Sequence, residues 1–180
     1  MKHNKIKPKQ RILETATRLF YKQGYHSTGI NQIVAESGVA KSSLYQHFHA
    51  KEELAATCLQ ERHKYWFYEL KTFILSANSR KNKVLVLFDF LYYMNEKENY
   101  LGCAFINILS ETHYVSQKIM SCIMDHKIEV RTLFKDLLLG TNLHPDHLYL
   151  LFESAMIESK LYRNQWPVNS AKSIVNSLLN

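Results

Sequence analysis

The feature that most restricts this chain is the spacing of its apolar residues, which recur at intervals of three and four with little to interrupt them. Only five Gly and three Pro occur in 180 residues. No segment alternates apolar and polar as a half-buried strand would, so helix is predicted nearly throughout. A first helix over about 9–23 carries Ile12, Leu13, Ala16, Leu19 and Phe20 on one stripe and stops at Gly24. A second starts after Thr28 as N-cap, turns Ile30, Ile33 and Val34 inward and ends near Gly38. The third covers about 41–48, with Leu44 and Phe48 one turn apart as its buried pair. Lys51 opens a long fourth helix that meets no breaker before about residue 75. Further helices are expected over about 83–97, 101–111 and 116–139, from Pro145 onward, and over 168–179 after Pro167.

Charge is distributed unevenly along this pattern. Residues 1–51 hold nine Lys/Arg against two Glu, whereas 52–180 hold fourteen of each sign, so the whole net charge of +7 sits in the first quarter. A basic segment joined to a neutral one points to a polyanionic partner, nucleic acid or an anionic membrane surface. The cysteines, Cys58, Cys103 and Cys122, are odd in number and lack CxxC spacing, which argues against a disulfide framework or a zinc knuckle and for a reducing cytoplasm. The longest apolar run, 84–94, is broken by Asp89 and falls short of the roughly 20 residues needed to cross a bilayer. A soluble protein without a secretion signal is expected.

Residues 30–48 read as two short helices meeting at Ser37-Gly38-Val39, with Ile33, Val39 and Leu44 available as a small shared core. In helix-turn-helix proteins that read DNA, the second helix enters the major groove. Its outward residues here are Lys41, Ser42, Ser43, Tyr45, Gln46 and His47, none of them acidic and two small enough for close approach to base edges or phosphates. Lys51 adds an independent signal. A cation at a helix start opposes the macrodipole, and Ala50 has no capping oxygen, an arrangement that makes sense if Lys51 and the helix amides address a phosphate.

The segment RILETATRLFYKQGYHSTGINQIVAESGVAKSSLYQHFHAKEEL closely resembles the N-terminal DNA-binding domain of TetR/AcrR-type transcriptional regulators. The match rests on A-x-x-L-F in the first helix, Gly24-Tyr25-x-x-Thr28, Gly38-Val39, Leu44-Tyr45-x-x-Phe48 and Lys51-x-x-Leu54. The resemblance implies that Thr28, Tyr45, His47 and Lys51 hold the phosphate backbone, while Lys41, Ser42, Ser43 and Gln46 face bases. It also implies an all-α homodimer: a three-helix head over residues 1–52, with a basic arm at 1–8, joined by the long helix to an effector-binding and dimerisation domain over 53–180. Two departures stand out. Ser42 occupies a position where the family often has Gly, and Ala50 one where a capping Ser, Asp or Asn is common.

Leu101-Gly102-Cys103-Ala104-Phe105-Ile106-Asn107 resembles a G-C-x-x-x-N segment of one subgroup, which implies that Cys103, Phe105 and Asn107 lie near an effector cavity. Trp66, Phe67, Phe88, Tyr92, Phe134 and Phe152 supply an aromatic interior able to enclose an apolar pocket, and so suggest a hydrophobic or aromatic effector. Dimerisation is assigned to Leu148, Leu151, Phe152, Ala155, Met156 and Ser159, together with Ile174, Val175 and Leu178, as a four-helix interface across a two-fold axis. If that stripe completes the monomer core instead, a second one is needed, which Leu150, Ile157 and Leu161 partly provide. His47-x-His49 and His144-x-Asp146-His147 match no ligand pattern of known specificity, so no metal is expected. Neither a nucleophile elbow nor a phosphate loop is present, so neither an enzyme nor a cofactor is expected. The expected partners are double-stranded DNA, a second copy of the chain and a small effector that releases a pseudo-palindromic operator. The rival reading is a constitutive DNA-binding or protein-docking module with no effector.

Overall fold

The computed structural model describes residues 7–111 and 116–179, so most of the basic arm lies outside the described residues. Among those described there are nine α-helices and no strand. They are α1 (Pro8–Gln23), α2 (Ile30–Ser37), α3 (Lys41–His47), α4 (Lys51–Leu75), α5 (Arg80–Lys97), α6 (Ala104–Glu111), α7 (Gln117–Leu137), α8 (Pro145–Tyr162) and α9 (Trp166–Leu178). Pro8 occupies the first position of α1, where its missing N–H leaves no bond unmade, so the end of the expected arm is helical.

Several helix ends differ from the sequence expectation, each for a local reason. Thr28 is not the N-cap of α2; Gly29 is, without a side-chain cap, because the Thr28 hydroxyl donates to the Gly24 carbonyl at 2.6 Å. α6 starts at Ala104 rather than near 101, because Asn99, Tyr100 and Gly102 all have positive φ. α5 begins at Arg80, where the Ser79 hydroxyl accepts from the Asn82 N–H at 3.1 Å. Pro167 lies inside the first turn of α9 rather than ahead of it.

The helices divide into two compact units. The first contains α1, α2, α3, α4 as far as Arg62, α6, and α7 as far as Met124. The second contains α4 from His63, α5, α7 from Asp125, α8 and α9. In the first, Ile12, Ala16, Ile33, Leu44 and Leu54 are all fully buried. In the second, an aromatic cluster forms the core: Trp66 packs edge-on against Phe67 at 5.1 Å and Phe90 at 5.1 Å, while Phe152 meets Phe134 at 5.2 Å and Phe88 at 5.9 Å. Asn95 and Gln165, both buried, are paired at 3.1 Å, and the Gln165 amide donates onward to the Tyr92 carbonyl. The buried polar groups of α5 and of the approach to α9 are thereby satisfied. Among the described residues, no helix is long and apolar enough to cross a membrane.

Candidate nucleic-acid interface

The corner between α2 and α3 is set by one glycine and one arginine. Gly38 adopts φ +61, and its N–H donates to the Val34 carbonyl as the C-cap of α2. Arg11, reaching across from α1, donates to the Ser37 and Gly38 carbonyls. A Cβ at position 38 would meet the movable guanidinium end of Arg11 at 2.6 Å, so it is the left-handed backbone angle that demands glycine. This corner fixes α3, whose Leu44 is buried, as is Phe48 at its C-cap. Lys41, Ser42, Tyr45, Gln46 and His47 are exposed, and Ser43 is half-buried. Five of the six residues expected to contact DNA from α3 are thus exposed, and no carboxylate interrupts that run.

Lys51 is held differently from a free surface lysine. Its ammonium lies 4.3 Å from the centre of the Tyr25 ring and donates to the His26 carbonyl at 3.4 Å. Burial lowers its pKa below the ordinary lysine range, with Glu52 and Glu111 pulling the other way. Beneath it, burial and Glu52 push the Tyr25 hydroxyl up to about 12, so the ring that carries the cation stays a neutral phenol at physiological pH. A phosphate near Lys51 would restore to the ammonium the solvation that burial removes. Thr28, assigned a phosphate contact by resemblance, is fully buried with its hydroxyl committed to Gly24; in this geometry its side chain closes the turn after α1.

One contributor was missed in the sequence. Glu111, at the end of α6, accepts from the His26 N–H at 2.8 Å, and a Cβ on Gly24 (φ +98) would meet its carboxylate at 2.8 Å. Gly24 therefore ends α1 and also leaves room for the Glu111 carboxylate, whose partner His26 lies 85 residues before it. No local pattern marks Glu111, because its partner is a backbone amide.

The residues expected to line an effector cavity are not all brought together. Trp66, Phe67, Phe88, Phe134 and Phe152 are buried in the core of the second unit, in contact with other rings. Tyr92 is 38% exposed on the outer side of α5, which corrects its placement in a cavity wall. Cys103 is half-buried against the same core, whereas Phe105 and Asn107 lie on α6 in the first unit. Buried polar groups that the sequence reading passed over lie in the second unit. Lys127 pairs with Glu153 at 2.6 Å, and His63 and His126 face each other through Nδ1 at 3.2 Å. The available signal was a charged residue at an inward position of α7.

The stripe assigned to dimerisation also needs correction. Leu148, Phe152, Ala155, Met156, Ser159 and Val175 are buried in the second unit itself, and Leu151 packs against that core, so they complete the monomer. Ile174 and Leu178 are exposed, as are Leu150, Ile157 and Leu161, the second stripe on the same two helices.

Residues 12–58 match the family model for bacterial regulatory proteins of the tetR family. Over those residues, the chain carries the N-terminal domain of that family. The HTH-type transcriptional regulator LmrA of Bacillus subtilis (strain 168) is 52% identical over 58 residues, covering 32% of this chain and 31% of that protein. The chain thus aligns with less than a third of LmrA's length. A longer match is to the HTH-type transcriptional repressor DhaR of Mycobacterium sp. (strain GP1), 24% identical over 184 residues and covering 93% of this chain and 89% of that one. In fold, the chain resembles SCO4454, a TetR-family regulator from Streptomyces coelicolor, with a TM-score of 0.88 at 24% identity over 96% of this chain and 88% of that one.

Proposed function

We propose that this chain regulates transcription by binding a pseudo-palindromic operator as a homodimer, and that a small apolar or aromatic effector releases it. The observation that carries this reading is the carboxylate-free outward face of α3, Lys41 to His47, fixed by the Gly38 corner and flanked by Lys51. A single short helix reads only a few base pairs, so useful specificity calls for two heads over a repeated half-site. The dimer face is assigned to Leu150, Ile157 and Leu161 of α8 with Ile174 and Leu178 of α9, apolar side chains that are 46–68% exposed on the described chain. Effector release requires only that the effector bind the DNA-incompetent arrangement more tightly.

Two substitutions test the DNA contacts without disturbing the core. Tyr45→Phe removes one exposed hydroxyl and should weaken operator binding while leaving the melting temperature unchanged. Lys51→Ala should weaken binding and reduce the slope of log affinity against log salt by about one counterion. Wild-type affinity and slope in both variants would refute the phosphate assignment. Glu111 places a carboxylate in the field of Lys51. Glu111→Gln keeps an acceptor for the His26 N–H and removes the charge, so DNA binding should tighten at low salt and the gain should fade as salt rises. A salt-independent change would mean that Glu111 acts by shape alone.

A further inference from the structure

The side chains of α2 and α3 do little by themselves to fix the angle between the two helices. α2 has no basic residue in its last turn to answer the carbonyls exposed there, and α3 starts at Ala40 without a side-chain cap. Leu44 and Phe48 are buried and hold α3 in the head, but apolar packing is non-directional and sets the pitch of a seven-residue helix only loosely.

Arg11 supplies the missing direction. From α1, 26 residues before Ser37, one terminal nitrogen of its guanidinium donates to the Ser37 carbonyl at 2.5 Å and to the Gly38 carbonyl at 3.0 Å. Ser37 is the last residue of α2 and Gly38 its left-handed C-cap, so the cation lies at the negative end of the helix dipole, a place that no residue of α2 fills. A planar guanidinium presents its N–H groups at fixed angles, so a pair of such bonds restrains the rotation of the corner as well as its distance from α1. Arg11 is half-buried, and both N–H groups of that nitrogen are committed to backbone. A second charged link between the same helices, Arg18 with Glu36 at 2.6 Å, is exposed and lies further along α1.

We propose that Arg11 is a positioning residue for sequence reading: by holding the α2–α3 corner against α1, it sets the angle at which Lys41, Ser42, Ser43 and Gln46 meet base edges, without touching a base itself. This inference rests on the proposed reading of an operator by α3. Lost stability or a lost phosphate contact weakens binding to every sequence alike. A misaimed reading helix instead loses base contacts while the attraction of the basic head for DNA persists. The quantity that separates the two is the ratio of affinities for a specific and a scrambled duplex.

The test uses the full chain with two duplexes, one enriched by the wild type from random DNA and one a scrambled version of it, and reads the ratio of their dissociation constants at one salt concentration. Arg11→Met keeps an unbranched stem and removes the donors, and the ratio should fall about tenfold, the order of one lost base contact. Arg11→Lys keeps the charge without the planar fork and should fall between Arg11→Met and wild type. It carries the test by itself if Arg11→Met does not fold. Arg18→Met takes the same charge from α1 and leaves the corner intact, so its ratio should match wild type. A wild-type ratio in Arg11→Met, or in Arg11→Lys where that is the folded variant, would overturn the role of Arg11, as would an equal fall in Arg18→Met. A wild-type chain that enriches no sequence would instead overturn the reading of DNA by α3, and the assignment of Arg11 with it.

Discussion

Leu44→Ala is expected to destabilise the first unit by roughly 2–5 kcal/mol, the range for removing a fully buried leucine. Leu44 is 0% exposed at the centre of α3, and its neighbours on that helix point the other way. The loss therefore reflects packing alone, the transfer free energy of the side chain plus the cavity left behind. A loss of that size is a large share of the stability of a domain this small. DNA binding should fall with it, because fewer heads are folded. Amide hydrogen exchange across α1, α2 and α3 separates this from damage to the contact face: protection should collapse in Leu44→Ala and stay at wild type in Gln46→Ala, which removes only an exposed side chain. A loss below about 1 kcal/mol would mean that α3 is not held by the core described above.

The second large effect concerns the ion pair inside the other unit. Lys127 and Glu153 are 11% and 14% exposed at their side chains, with both carboxylate oxygens within 2.7 Å of the ammonium. Glu153→Leu leaves that ammonium buried without its carboxylate and is expected to cost roughly 3–5 kcal/mol. Pairing Glu153→Leu with Lys127→Met should restore most of the loss, since two apolar side chains of similar size need no desolvated charge. Urea unfolding of the single and double variants measures both numbers. Burial works against the Lys127 charge, but Cys103, Glu153 and Tyr149 outweigh it, and the pKa is raised. A lysine raised above its unfolded value of about 10.4 contributes stability that is complete below that pH and is lost as pH climbs through the folded value. The gap between wild type and Glu153→Leu should therefore stay constant through the neutral range and narrow only in strong alkali. A gap that closes near neutrality would contradict the pairing.

What was legible in the sequence was whatever local chemistry determines. The scarcity of Gly and Pro and the three–four spacing mark the helices, and Gly38 marks the corner, because each acts within a few residues of itself. The outward face of α3 follows from the period once Leu44 and Phe48 are taken as inward. What failed were judgements that depend on distant partners. Thr28 has the chemistry of an N-cap, but Gly24 claims its hydroxyl. α8 is apolar on more than one side, and its period alone cannot say which stripe meets α5 and α9; the structure buries Leu148, Phe152 and Ala155 and leaves Leu150 and Ile157 outside. Tyr92 has the composition of a cavity wall and the position of a surface residue. Glu111 could not be found at all, since its contact joins residues 85 positions apart.

The measurement that bears most directly on the central claim is selection from random duplex DNA, followed by binding of the enriched sequence and a scrambled control over a salt range. The account predicts an inverted repeat bound far more tightly than the control at every salt concentration, because the α3 face supplies base contacts beyond the charge of the head. Binding that is weak, steeply salt-dependent and indifferent to sequence would contradict it, leaving a basic domain that attracts DNA without reading it.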